Sequence, residues 1–443
     1  MGHLARATAV ALALREVANP IIVSMASGIA EIPMTLDIRC EYFPGRDKLW
    51  MPRDNWDIYV RDRLLALIDE TDAKVLTFDG VVPYPGVFAT RIKNRNISLV
   101  WIRRGLWQKN LLRFALPLYS RIMDLVIEPG DIARAFDFGP TSKRKDAVLT
   151  SPVSLFNNRY ALTREDSRKA LGLDVNRPVV LVQLGTGDSD VNAKMAAALE
   201  GLLGWKDLQV VLTKAPIAKD GSSLAPSALD IKVIRYFPLA QVLRAFDASI
   251  CATGYNGVHE LLPAQIPTVF VSNIRGTDDQ EARARWCQEL GFALRADQNN
   301  LSDITETVRR LQDEATREQL AAKCLELPDT SGGAEIAGIL SALALQGKPV
   351  NRKLFTRFLR TVIYVGIRRL TLIYRHLKPH TTAQNAQLEP PIFGDSTNVE
   401  DLRKLLNSSL RFEHLIEGAS DSYRSRREEI ANAAYGNLKD KER

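Results

Sequence analysis

The sequence is poor in the residues that most often announce a chemistry. Four cysteines occur in 443 residues, Cys40, Cys251, Cys287 and Cys324. None shares a Cys-x-x-Cys spacing, which excludes a zinc ribbon or a dithiol redox centre and leaves reduced, partly buried thiols as their reading. No uncharged apolar run approaches the roughly 20 residues that a membrane span requires. Residues 7–14 are apolar and follow Arg6, but Arg15 and Glu16 end the run with no small-residue cleavage site behind it, against a signal peptide. Histidine is scarce as well: of five, only His3 and His259 precede residue 346. These absences point to a cytoplasmic chain with few candidates for acid–base work near neutral pH.

What is present describes a globular protein. A hydrophobic fraction of 46% and a charged fraction of 25% suit packed cores, and 443 residues suit two domains with an appendage. The charge is placed unevenly. From residue 346 onward 18 Lys/Arg face 11 Asp/Glu, whereas the preceding residues carry 41 of each, so the whole excess lies in the tail.

Short β-rich runs alternate with helical patterns in two successive blocks, the pattern of parallel sheets with crossover helices. In the first, runs at 19–26, 73–80, 96–102, 121–129 and 146–154 read as strands, with a helix over 54–71. A polar connector over 156–177 follows. The second block begins at 178 and continues through 208–215, 230–237, 248–254 and 267–273, closed by a helix over 305–327. The expected fold class is α/β: two Rossmann-like, doubly wound domains, 1–155 and 178–345, facing a cleft, plus a basic extension over 346–443. In such sheets ligands bind beyond the carboxyl ends of the strands.

The most informative stretch is 236–286. A strand ends at Ala252, the turn Thr253-Gly254-Tyr255-Asn256-Gly257 follows, and a helix begins that carries Glu260. A glycine turn at a helix start offers free N–H groups to a diphosphate, and a carboxylate one turn in can accept from ribose hydroxyls. Helix capping alone produces the same pattern. "DDQ" at 278–280 adds a second polar cluster beyond a strand end.

The small turn ending in Gly, the Glu in the helix, the Ala264–Val271 spacing and "DDQ" together resemble the donor half of glycosyltransferase family 28, which includes MurG-type UDP-N-acetylglucosaminyltransferases. The resemblance implies the GT-B fold, a nucleotide-sugar in the carboxy-terminal domain, an acceptor in the amino-terminal domain and no required metal. It implies that Thr253, Gly254, Tyr255, Asn256 and Gly257 face the diphosphate, Glu260 the ribose, and Asp279 with Gln280 the sugar. It places Phe237 by the base and the loop Gly185-Thr186-Gly187 near the phosphates, although a plain strand-to-helix turn explains that loop equally.

The opening "MGHLARATAVALAL" resembles the family's first helix from the end of its glycine loop, which places Gly2 by the acceptor and makes His3 the candidate general base. The strand that precedes this loop in the family is absent, and an upstream start or an internal Met1 is the expectation that follows. His259 is expected to pack locally. Asp79 and the pair Arg103 and Arg104 stand at strand ends, as acceptor or phosphate contacts or as solvated surface charge. Arg283-Ala284 stand where the family often has Asn-Ala, which leaves the sugar open.

Residues 352–378 contain eight Lys/Arg and no acid, with apolar residues largely on the opposite helical face. Such a helix lies on anionic lipid or packs its apolar side on the protein. No stacking motif or zinc module accompanies the charge, against a nucleic-acid partner. The expectation is therefore a hexosyltransferase moving a hexose or N-acetylhexosamine from a UDP-sugar to a lipid-linked or cell-envelope acceptor at the cytoplasmic membrane face. A nucleotide-sugar hydrolase and a non-catalytic nucleotide-sugar binder are the rivals.

Overall fold

The computed structural model describes residues 2–25, 31–46, 53–109, 115–185, 189–213, 228–273, 277–328, 330–346 and 356. All belong to one compact unit, Met1–Leu370. The amino-terminal half runs α1 (Gly2–Leu14), β1 (Ile21–Ser24), α2 (Glu31–Leu36), β2 (Arg39–Tyr42), α3 (Arg53–Thr71), β3 (Val75–Asp79), α4 (Pro85–Lys93), β4 (Ser98–Ile102), α5 (Ala115–Arg121), β5 (Leu125–Pro129) and β6 (Val148–Thr150). Its strands pair in parallel as two sheets, β1-β2 and β3-β4-β5-β6. The apolar run of β4 is buried along its whole length, as a strand covered on both faces requires. β3 is more open: Thr77 is exposed at its centre.

The carboxy-terminal half follows with α6 (Arg164–Leu171), β7 (Val179–Gln183), α7 (Ser189–Gly201), β8 (Gln209–Thr213), β9 (Asp230–Ile234), β10 (Ala248–Ala252) and α8 (Tyr255–Leu261). It continues with β11 (Thr268–Val271), α9 (Gln280–Glu289), β12 (Leu294–Ala296), α10 (Leu301–Arg309), α11 (Glu314–Cys324) and α12 (Gly332–Leu345). Six parallel strands form one sheet in the order β12-β11-β10-β7-β8-β9. From β7 the chain winds outward through β8 and β9, then returns to β7's other side as β10. The carboxyl ends of β7 and β10 therefore flank the point where the winding reverses, the place where open sheets hold ligands. Gly185 follows one of these ends and Gly254 the other.

α1 is rich in Ala and Leu, strong helix formers, and it buries two faces. Leu4 and Ala11 pack with Ile22, Ile32, Leu36 and Ile38 around the two-stranded sheet. Ala9 and Val10 pack with Val100, Ile102 and Ile127 under the four-stranded one, where Ile336, Leu340 and Leu343 of α12 join them. Thus α12, expected within the carboxy-terminal domain, returns to the amino-terminal core, and a bridge between Val153 and Ser331 ties its start there. The helix expected over 305–327 is two helices, because the Asp313 side chain accepts from Thr316 N–H at 2.8 Å and caps a new start.

Candidate functional site

At the sheet's switch point, the residues expected to meet a nucleotide divide into two groups. Gly254 begins α8 in extended backbone, and the space where a Cβ would stand is open. Gly185 adopts φ +102°, a conformation that glycine takes readily. Glu260, on the helix behind Gly254, is half-buried, and its carboxyl has no hydrogen-bond or ion-pair partner among the described residues. Burial pushes its carboxyl up to about 8. A desolvated carboxyl without a partner is costly, so this group is primed for an incoming donor.

The others are engaged by the protein itself. A Cβ at Gly257 would lie 2.9 Å from Cys251 Sγ, so its small size serves packing. Thr253 is fully buried, with its hydroxyl 3.4 Å from that of Ser272. Asp279 caps α9 by accepting from Ala282 N–H at 3.0 Å, and Gln280 Oε1 accepts from Asn273 N–H at 3.0 Å. Phe237 packs with the apolar cluster of α1, α2 and β1. Thr186 and Gly187 lie outside the described residues, as does the expected cationic helix over 352–378 apart from Thr356.

Across from this loop, α1 and β3 bring His3 and Asp79 together, with His3 Nδ1 2.7 Å from Asp79 Oδ1. Burial works to raise the Asp79 carboxyl, but the charge of Arg6 and the hydrogen bonds of Arg6 and His3 outweigh it and hold it below the usual range. An ionised Asp only accepts, so His3 Nδ1 donates and Nε2 keeps the free lone pair. The His3 side chain is 44% exposed and open to a reactant. Arg6, one turn along α1, is buried; its Nε donates to Asp79 Oδ2 at 2.7 Å and its Nη2 to Asp79 Oδ1, with Nη2 3.2 Å from His3 Nδ1, a contact of two donors around the shared carboxylate oxygen. Sequence reasoning missed Arg6. Its signal was a lone cation inside an apolar helix, three residues from the histidine.

The two arginines expected as phosphate contacts have other duties. Arg103 is fully buried and its guanidinium is taken up by Glu128, Asp146 and Ser120. That is a structural ion cluster, a correction to its reading as a clamp or as solvated charge. Arg104 crosses to the other domain, donating to Thr277 Oγ1 at 3.0 Å with Asp278 3.6 Å away. Burial lowers its basicity, Asp278 opposes this, and the nearby Arg6 and Arg283 add to the lowering.

α8 joins the domains as well as facing the switch point. The Tyr255 hydroxyl donates to Gly130 O at 2.8 Å and accepts from Val153 N–H at 2.9 Å. Its ring therefore serves the domain junction, which leaves its backbone N–H as the part of Tyr255 at the turn. Asn256 Nδ2 donates to Gly2 O at 3.0 Å. His259 is fully buried and accepts at Nε2 from Ile132 N–H at 3.1 Å, so its Nδ1 donates to Tyr255 O. Its lone pairs are spent, in keeping with local packing. Beside it Arg283 bridges Asp131 at 2.8 Å, Asp278 at 3.1 Å and Thr253 O at 2.7 Å. Loop 106–108 pairs with 277–279 through Asp279 N–H to Leu106 O at 3.0 Å and Gln108 N–H to Thr277 O at 3.1 Å.

Two parallel-sheet domains with a switch point at the strand ends define the GT-B fold. Residues 179–335 match the glycosyltransferase family 28 C-terminal domain. The 4'-demethylrebeccamycin synthase of Lentzea aerocolonigenes is 30% identical over 142 residues, 32% of each chain. The UDP-N-acetylglucosamine--N-acetylmuramyl-(pentapeptide) pyrophosphoryl-undecaprenol N-acetylglucosamine transferase of Rhodococcus opacus is 26% identical over 297 residues, 64% of this chain and 75% of that one. The chain thus spans about a third of the first relative and three quarters of the second. Among solved structures, the spinosyn forosaminyltransferase SpnP superposes with a TM-score of 0.53 at 16% identity, over 78% of this chain and 96% of that one, which speaks for the fold.

Proposed function

We propose that this chain transfers a hexose or N-acetylhexosamine from a UDP-sugar to a lipid-linked or cell-envelope acceptor at the cytoplasmic membrane face. The observation that carries this reading is the pairing of a Glu260 carboxyl without a partner among the described residues, behind the open Gly254 turn, with the His3–Asp79 pair on the facing domain. The donor's ribose hydroxyls donate to Glu260. Its diphosphate lies against the backbone amides beside Gly254 and Gly185.

His3 Nε2 takes the proton of the acceptor hydroxyl, whose oxygen then bonds to the anomeric carbon. The bond from that carbon to the diphosphate oxygen breaks, and UDP leaves with the electron pair. Asp79 holds the ring by Nδ1 and stabilises the imidazolium that forms. Backbone N–H groups fixed before the reaction meet the charge that grows on the leaving diphosphate. The reading asks for no metal. The cationic pattern over 352–378 supports anchoring to anionic lipid, each basic residue contributing about 1 kcal/mol near the surface.

The test is UDP release from a panel of UDP-sugars, with and without lipid extract. Release that requires the extract supports the transferase, and release without it supports the hydrolase. Failure of Glu260→Ala to weaken UDP binding removes the donor-site assignment.

A further inference from the structure

We infer that Arg6 is a positioning residue: it fixes the plane of the Asp79 carboxylate, and through Asp79 the ring of His3, in register with the loop that faces the donor. The inference rests on the role of His3 proposed above.

Asp79 is the last residue of β3, and its carboxylate is buried. His3 approaches one of its oxygens, Oδ1, from a half-exposed position. A single contact of this kind leaves the carboxylate free to rotate about its terminal bond, which has a broad preference. Arg6 removes that freedom. Its Nε meets Oδ2 at 2.7 Å and its Nη2 meets Oδ1, a two-point grip in which the planar fork dictates the carboxylate plane. His3 and Arg6 stand three residues apart on one rigid helix, so ring and fork share a mounting.

The position of the guanidinium over Tyr255 supplies the second link. Its central carbon lies 5.3 Å from the centroid of the Tyr255 ring. That ring is locked by two hydrogen bonds to Gly130 and Val153, and its backbone is the residue after Gly254. Arg6 thus meets the acceptor-side pair through Nε and Nη2 and stands over the ring of Tyr255 beside the Gly254 turn. A lysine would supply the charge, but not the fork or the flat surface.

The experiment compares the full-length protein with Arg6→Lys, which keeps the buried charge paired, and with Tyr255→Leu, which removes the ring. Nitrogen-15 spectra of histidine-labelled protein read the His3 tautomer directly, with the His3 signals assigned by a His3→Gln control. The expected result is a single Nδ1–H form in the parent and a mixture of Nδ1–H and Nε2–H forms in both variants. Alongside it, kcat for UDP-sugar turnover falls at least tenfold in Arg6→Lys while KM for the donor stays within about twofold. An unchanged tautomer with unchanged kcat in Arg6→Lys overturns the inference. A parent that turns over no UDP-sugar overturns the proposed function instead, and the tautomer measurement still decides the role of Arg6.

Discussion

Arg283 of the carboxy-terminal half reaches Asp131 of the amino-terminal half at 2.8 Å, and both side chains are almost wholly buried. The charges of Asp131 and Asp278 raise the basicity of Arg283 against the opposing effect of burial. Removing one member leaves the other buried without compensation, which costs about 3–5 kcal/mol. Arg283→Met is therefore expected to lower stability by that amount in urea unfolding. A loss below about 1 kcal/mol would show that the junction rests on the pairing of 106–108 with 277–279 instead.

Glu260 carries stability and binding in opposite directions. Its carboxyl stands near 8 in the folded protein and near 4.5 by itself. Between these values the native state holds more protons than the unfolded state, so this residue makes stability fall as pH rises from about 4.5 to 8. Glu260→Gln is expected to flatten that slope and raise the melting temperature at pH 8. It should also weaken UDP binding by roughly tenfold, as the amide offers the ribose hydroxyls one acceptor oxygen where the carboxyl offers two. Thermal melts from pH 5 to 9, with calorimetric titration of UDP, check both signs.

His259 acts on the acid side. Burial, aided by Arg283 and opposed by Asp131, holds its imidazole below the ordinary value. The unfolded chain then binds a proton that the native state refuses, and stability declines as pH falls below about 6.5. The decline between pH 6.5 and 5 is expected to be smaller in His259→Gln than in the parent, whatever the variant costs at pH 7.5.

Charge reversal at Lys353, Arg357 and Arg360 is expected to abolish co-sedimentation with vesicles rich in anionic lipid and to leave UDP affinity unchanged. Equal sedimentation of parent and variant would remove the lipid-facing role of 352–378.

The sequence made the parallel sheets legible because buried strands such as β4 and β7 are unbroken apolar runs. It concealed β2, whose "RCEY" is short and charged, and β12, whose three residues lie below any periodic signal. The turn at Gly254 and the helix that carries Glu260 could be read because both are local in the chain. Arg103 could not, since Glu128 and Asp146 reach it from 25 and 43 residues away. The same holds for Tyr255, whose partners at Gly130 and Val153 come from the other domain.

β3 is hydrogen-bonded on one side only among the described residues, and Asp79 stands at its end. The ladder to β4 restrains motion along one edge, while the other edge makes no ladder among the described residues. In mechanical terms the His3–Asp79 pair sits on a beam clamped along one side. Its stiffness comes in large part from the helix that carries His3 and Arg6, so amide exchange should mark β3 as more compliant than β4 and β5, which are paired on both sides.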